Sequence, residues 1–309
     1  SALGVLLYNT ALIIWDEVTM QHRHWFEAVD RVLRDIRRQD ILFGGIPVIF
    51  GGDFAQIAPV IKRADRSQIV DASIRQSYIW DGTDVIHLRV NMRVRGISSN
   101  DAHFKDWLYR MTYSPEMQNK SILLPHYIYN TSSLNNLIER VYPMVVLSDA
   151  LNSSQRLYKS AILTTRNDTA DELNGKILNS MPGTILHLLS ADEAVTSPTD
   201  GVDELFQISP EYLQTLNPNN FPPARLSLKV GCIVMLLRNI NAEAGLCNGT
   251  RLMIKEIGSY VLKVAVLKEI NSEVEQIEMI PRITLDTMED DYPFILRRTQ
   301  FPVKLSFAM

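Results

Sequence analysis

Residues 12–17 read LIIWDE and residues 47–56 read PVIFGGDFAQ. Each is an apolar run that closes on polar, mostly acidic residues. The first run ends in Asp16 and Glu17, and the second offers Asp53 and Gln56 behind the Gly51-Gly52 pair. The unbroken apolar LIIW reads as a buried strand. Between the two runs, Trp25, Phe26, Val29, Val32, Leu33 and Ile36 fall at helical spacing, with charges on the opposite face. Open parallel sheets take their ligands at the carboxyl ends of their strands. Two acid-tipped strands joined by a helix therefore suggest the metal-and-water half of a nucleoside triphosphatase.

Outward from this centre, residues 3–9 form a short apolar helix end. Residues 69–80 read as helical and residues 85–88 as a further strand. The order is β-α-β-α-β, which argues for a parallel sheet. After Asn91-Met92-Arg93 the pattern loosens. Helices are predicted at 103–111 and 133–141, and a strand at 161–164. Asn167 then stands where a helix N-cap belongs, with Ala170, Leu173, Ile177 and Leu178 on one face. This is a second strand–helix unit. Residues 190–204 are polar and acidic and read as a loop. From Pro222-Pro223 onward, short β-rich runs at 226–230, 233–237, 252–257, 261–267 and 274–280 are punctuated by Gly231, Asn248-Gly249 and Gly258-Ser259. Such spacing predicts a small β-barrel inserted into the second domain. The expected fold class is α/β. A first, incomplete parallel-sheet domain would cover residues 1–95, and a second 96–221. The barrel would cover 222–293, and the chain would return to the second domain over 294–309.

Composition narrows the class. At 309 residues, two or three domains are expected, with ample core. Apolar content of 46% and charged content of 21% are ordinary for a globular chain. The net charge of −4 gives no overall basic signature, although charge lining a groove matters more than the total for nucleic acid. Two cysteines cannot make a zinc ligand set alone, and so few make a reducing intracellular compartment the default. No apolar run approaches the roughly 18 residues needed to span a bilayer. The first residue is Ser1 and a strand arrives by Leu12, so the chain is expected to be a piece of something longer.

Phosphoryl transfer to water needs a metal bridging phosphate oxygens and a group orienting the water. Asp16 at a strand end can hold magnesium, usually through water, while Glu17 polarises the attacking water. The plainer alternative is a helix N-terminus that favours acids through its dipole. Gly51 and Gly52 permit close backbone approach to a ligand, and Gln56 can sense the γ-phosphate. An ordinary tight turn explains the same glycines. Arg93 can stabilise transition-state charge or simply be a solvated surface arginine. Thr164, Thr165 and Asn167 can hold a phosphate of bound DNA at a helix N-terminus, and a plain helix cap accounts for Asn167 equally well. The histidines have no metal-like spacing.

Taken together, LLYNTALIIWDEVTM, FEAVDRVLRDI, FGGIPVIFGGDFAQIAPVI, IVDASIRQSYIW, LRVNMR, AILTTRNDTADELNGKIL, LSLKVGCIVMLLRNINAEAGLCNGTRL and FPVKLSFAM resemble the Pif-type (petite integration frequency) DNA helicases of superfamily 1B. The likeness is greatest to their Helitron-related eukaryotic branch, and the strings run in family order over nearly the whole chain. The resemblance implies two RecA-like domains with ATP bound between them and a motor moving 5′ to 3′ on single-stranded DNA and at forks. By position, Asp16 resembles the magnesium-associated acid, Glu17 the catalytic base, Gln56 the γ-phosphate sensor and Arg93 the arginine finger. Gly52 and Asp53 resemble residues of the nucleotide site. Thr164, Thr165 and Asn167 resemble a DNA-contacting motif, and the region around GLCNGT the family's inserted subdomain. Ala55 stands where the family usually has a larger residue, often Arg, and Ala58 replaces a usual Leu. No GxxxxGK string followed by Ser or Thr occurs in these 309 residues, so the backbone-and-lysine cradle for phosphates is not among them. In the family that motif precedes the region matched here, and further motifs follow it.

The resulting expectation is an ATP-dependent 5′–3′ DNA helicase that uses Mg2+ and ATP and acts on single-stranded and forked DNA. It would have no membrane association, would reside in the nucleus or mitochondrion, and would be present here as a piece inactive on its own. Family roles span repair, recombination, telomere maintenance and transposition. Two rivals remain open: a non-enzymatic DNA-binding remnant of a transposon helicase, and a metal-dependent nuclease built on Asp16, Glu17 and Asp53.

Overall fold

In a computed structural model of the chain, the two acid-tipped runs become neighbouring parallel strands. The structure describes residues 2–61, 63–88, 90, 92, 99–117, 121–195, 208–218, 220–268, 275–287 and 292–309. They fall into two compact units, Ser1–Tyr129 and Asn130–Met309.

In the first unit, β1 (Ile13–Trp15) pairs with β2 (Val48–Phe50), Ile13 opposite Val48 and Trp15 opposite Phe50. Two bonds extend the zipper past the strand ends: the Gly51 amide donates to the Trp15 carbonyl at 2.8 Å, and the Val18 amide to the Gly51 carbonyl at 3.0 Å. Side chains alternate faces along a strand. Ile13, Trp15, Val48 and Phe50 therefore face α2 (Arg23–Arg37), where Phe26 and Leu33 are fully buried. Each such side chain stabilises the unit by about 1.5–3 kcal/mol. Ile14 and Ile49 point the other way and are 72% and 55% exposed. LIIW is thus buried on one face only, because the period of two overrides its uniform hydrophobicity. Trp25 and Val32 also lie outside the core.

A residue that apolar periodicity passes over, Asp30, sits on the inner face of α2 instead. Its carboxylate accepts the Phe43 amide at 2.6 Å, Arg34 Nε at 2.9 Å and the Tyr78 hydroxyl at 2.7 Å. Phe43 and Gly44 both have positive φ, so the turn into β2 is tight. A Cβ on Gly44 would meet the Leu33 carbonyl at 2.5 Å, and only glycine lets this turn lie against α2. α1 (Ala2–Asn9) precedes β1. Its last turn is met by Arg37, which donates to the Tyr8 carbonyl at 3.0 Å.

The helical reading of residues 69–80 resolves into α3 (Arg66–Asp71), a 3-10 turn (Ile74–Gln76) and α4 (Tyr78–Asp81). Ser73 and Ser77 divide them, each capping the turn that follows it through its hydroxyl. The strand expected at 85–88 joins no ladder among the described residues. Ile86 and Leu88 are 85% and 97% exposed; β propensity is realised only against a partner. α5 (Ser99–Tyr113) completes the described elements of this unit.

The second unit opens with α6 (Leu134–Val141), α7 (Met144–Ser148) and α8 (Ser154–Tyr158). The strand expected at 161–164 appears as a parallel bridge between Ile162 and Ala308, leading into α9 (Asn167–Ser180). The N-cap is Arg166 rather than Asn167, which begins the helix itself. Buried Asn174 of α9 binds the chain end: its Oδ1 accepts the Phe307 and Ala308 amides, both at 2.8 Å.

The remaining strands are β3 (Leu186–Leu189), β4 (Ala191–Val195), β5 (Arg225–Leu228), β6 (Ile233–Leu236), β7 (Arg251–Ile257), β8 (Val261–Val266), β9 (Ile277–Pro281), β10 (Ile283–Asp286), β11 (Ile295–Gln300) and β12 (Val303–Leu305), with α10 (Pro210–Thr215) after β4. The five runs read from sequence are β5 to β9, and Gly231 and Gly249 take the positive φ their turns need. The expected barrel does not close among the described residues. The strands form an open antiparallel sheet in the order β12-β6-β7-β8-β9, a sheet β10-β11-β4 and a pair β3-β5. β9 ends at Pro281, which has no amide to donate, and the chain turns into β10, which pairs with β11 instead of closing the sheet. β4 lies inside the segment read as a loop, because its partner β11 is a hundred residues away. Arg298, wholly buried, grips both oxygens of Asp192 at 2.9 and 2.7 Å and donates to the carbonyls of Leu213, Leu216 and Pro222. Among the described residues no helix is long and apolar enough to cross a membrane.

Candidate functional site

The carboxyl ends of β1 and β2 bring most of the first-unit candidates together. The zipper described above holds the Asp16–Val18 backbone against Gly51. A Cβ on Gly51 would lie 2.9 Å from Asp16 Oδ1, and one on Gly52 would lie 3.1 Å from a methyl of Thr19. Glycine at both positions lets the second loop pass this close to the first. Asp16 Oδ1 accepts the Glu17 amide at 2.9 Å. Glu17 itself is in the left-handed region, φ 53° and ψ 40°. A non-glycine residue held there carries strain of order 1–3 kcal/mol, a feature concentrated at functional sites. Asp16 and Glu17 are both exposed.

The second loop is a tight turn. The Gln56 amide donates to the Asp53 carbonyl at 3.1 Å. The Asp53 carboxylate accepts the Ala55 amide at 2.9 Å, Gln56 Nε2 at 3.2 Å and the Tyr113 hydroxyl at 3.4 Å. Thr19 Oγ1 donates to the Asp53 carbonyl at 3.4 Å. Asp53 is therefore the hub that orients Gln56. Burial and the Asp53 carboxylate both raise the pKa of the Tyr113 hydroxyl. Sequence reading did not single out Thr19 or Tyr113. Tyr113 is 60 residues from Asp53, and nothing in its local pattern marks it.

A single exposed carboxylate at a strand end suits magnesium, which keeps several waters and takes one or two carboxylates plus substrate phosphates. Among the described residues no group of three or more His, Cys, Asp or Glu side chains converges as a metal cage. The converging acids of a two-metal nuclease are thus not found there. Arg93 lies outside the described residues. A separate groove of about 530 Å³, lined by His22, Arg63, Ser67, Gln68 and Asp71, does not include these candidates.

In the second unit, Thr164 and Thr165 follow the residue 162 bridge, and Asn167 begins α9. The Thr164 amide donates to the Met309 carbonyl at 2.9 Å, and its hydroxyl to the Arg166 carbonyl at 2.8 Å. Thr165 and Asn167 are exposed. Arg166 pairs with Asp168 at the helix start.

A family model described as PIF1-like helicase matches residues 1–120, and one described as DNA helicase Pif1, 2B domain, matches residues 211–257. The chain is 28% identical over 251 residues to the ATP-dependent DNA helicase PIF1 of Danio rerio, covering 80% of this chain and 32% of that protein. It is 28% identical over 244 residues to the Saccharomyces cerevisiae protein of the same name, covering 78% and 24%. Among solved structures, the Pif1 helicase from Candida albicans aligns with a TM-score of 0.63 at 20% identity, over 100% of this chain and 65% of that one. The Bacteroides Pif1 helicase in complex with ADP-AlF3 and single-stranded DNA aligns with a TM-score of 0.60 at 19% identity, over 100% and 62%. These likenesses establish the fold, that of helicases with RecA-like domains. The chain spans between about a quarter and a third of the length of these two curated relatives.

Proposed function

We propose that this chain is part of a PIF1-like, ATP-dependent DNA helicase that unwinds DNA 5′ to 3′. The observation that carries the reading is the convergence of Asp16, Glu17, Gly51, Gly52, Asp53 and Gln56 at the carboxyl ends of two parallel strands. In this reading Asp16 would hold Mg2+, which when bound would supply charge neutralisation at the phosphate oxygens. Glu17 orients and polarises the attacking water. Gln56, presented by Asp53, donates its amide to the γ-phosphate or that water. Arg93 would supply a transition-state cation. Thr164, Thr165 and Asn167 would bind the DNA backbone, so binding would be largely independent of sequence.

The test uses the complete gene product. Glu17→Gln should lower single-strand-stimulated ATP hydrolysis by about 10²–10⁴-fold, the usual worth of a general base, and stop unwinding of forks with a 5′ tail. The 309-residue chain alone, which has no GxxxxGK string, should show no such stimulation. ATP hydrolysis unaltered by Glu17→Gln would overturn the assignment. DNA cleavage without ATP, lost in the same variant, would transfer it to a nuclease.

A further inference from the structure

The turn that presents Gln56 has a side-chain anchor that none of the assigned roles uses. Phe54 is the second residue of the Asp53–Gln56 turn and is 43% exposed. The Arg75 guanidinium lies over its ring at 3.9 Å from the centroid. Its ring meets that of Trp80 nearly at right angles, with centroids 5.6 Å apart and planes at 88°. Arg75 also lies 5.8 Å from the Trp80 ring. Trp80 packs against the core cluster of the first unit. Arg75 belongs to the short 3-10 turn and Trp80 to α4, which follows it. Their backbone is held by the serine caps and by buried Ile74 and Ile79. A two-turn platform thus grips the one aromatic side chain of the exposed turn. An aromatic face attracts a cation, and an edge-on ring adds a further directional contact.

We propose that Arg75 is a positioning residue for the phosphate-sensing turn. It clamps Phe54 against Trp80 and so limits the orientations that Gln56 samples. The inference rests on the functional reading of Gln56 given above. Arg75 touches neither nucleotide nor reacting atoms in this scheme and acts wholly through Phe54. Ala55, small and adjacent, leaves the ring as the turn's chief hold on the platform.

The experiment is a double-mutant cycle in the complete gene product, reading kcat and KM for ATP with saturating single-stranded DNA. Arg75→Ala should lower kcat by roughly two- to fivefold, the worth of an exposed cation–π contact, with KM little changed. Arg75→Lys keeps a cation over the ring and should restore most of the loss; Arg75→Gln should not. In a Gln56→Ala background, Arg75→Ala should have no further effect on kcat. Additive losses would show that Arg75 does not act through this turn and would overturn the inference. A full-size loss in Arg75→Lys, or an unchanged kcat in Arg75→Ala, would do the same. If Gln56→Ala itself leaves kcat unchanged, the functional reading fails first and the inference falls with it. Thermal unfolding of each variant separates a loss of fold from a loss of positioning.

Discussion

Asp30 is the residue on which the first unit's geometry turns. Burial alone would push its pKa up, but the Phe43 amide, Arg34 and the Tyr78 hydroxyl together hold it below the usual carboxylate value. Burial, and then the hydrogen bond to Asp30, pushes the Tyr78 phenol up to about 12. The sign of the pH effect follows from linkage. A depressed folded-state pKa stabilises the fold fully above the unfolded value of about 3.9, and that contribution is lost as pH falls through the folded value. The first unit should therefore weaken as the medium is acidified below about pH 4. Asp30→Asn should cost about 1.5–3 kcal/mol at pH 7, the worth of hydrogen bonds to a charged group, and should flatten that acid limb. Urea unfolding at pH 7 and pH 3.5, with and without the substitution, measures both. An acid limb equally steep in Asp30→Asn would place its origin elsewhere.

At the scale of elements, α9 and the chain end form one interlocked piece. Asn174 spends its carbonyl oxygen on two amides and its NH2 on the carbonyls of Leu305 and Ala308, at 3.2 and 2.9 Å. The Tyr142 hydroxyl donates to the Phe307 carbonyl at 2.9 Å from the other side. Neither the Phe307 nor the Ala308 amide has another listener in the backbone ladder, since Ile162 bonds through the Phe307 and Met309 groups. Asn174→Ala would leave two buried donors without partners. It should destabilise the second unit by about 2–6 kcal/mol, one to three for each of the two orphaned groups. Thermal melting measures the loss; a shift equivalent to less than about 1 kcal/mol would mean that solvent reaches these amides. The Thr164–Asn167 segment springs from the same bridge, so amide exchange there should quicken in the variant.

At the scale of the whole molecule, the two units have separate cores of unequal size. The main cluster of the second unit gathers residues from Tyr142 to Ala308, whereas that of the first has Val18, Phe26, Leu33, Phe43, Ile46, Ile74 and Ile79 at its centre. A small core supports a small unit poorly, and the outer face of β1 and β2 still shows Ile14 and Ile49 to solvent. Contiguous exposed apolar surface is an association hazard. Residues 130–309 expressed alone should unfold cooperatively on heating, and residues 1–129 expressed alone should self-associate, as read by light scattering. A monomeric, cooperatively folding 1–129 piece would contradict this account.

Much was legible in the chain itself. The apolar runs LIIW and VIF, the helix between them and the glycines beyond are local patterns. They fixed two parallel strands with Asp16, Glu17, Asp53 and Gln56 at their ends, because side-chain periodicity and glycine stereochemistry act over a few residues. The strands β5 to β9 were read the same way. What local pattern could not supply was partnership. β4 was hidden because its hydrogen bonds go to β11. Among the described residues the barrel did not close, because β10 pairs onward with β11. Ile14 faces outward because a strand has two sides, and Asp30 is buried because a distant turn offers it an amide. Tyr113 reached Asp53, and Arg75 reached Phe54, only through tertiary contact. Sequence determined which groups end up at the strand tips; the packing of remote segments decided what holds them there, since a hydrogen bond or a ring contact depends on distance in space and leaves no periodic trace along the chain.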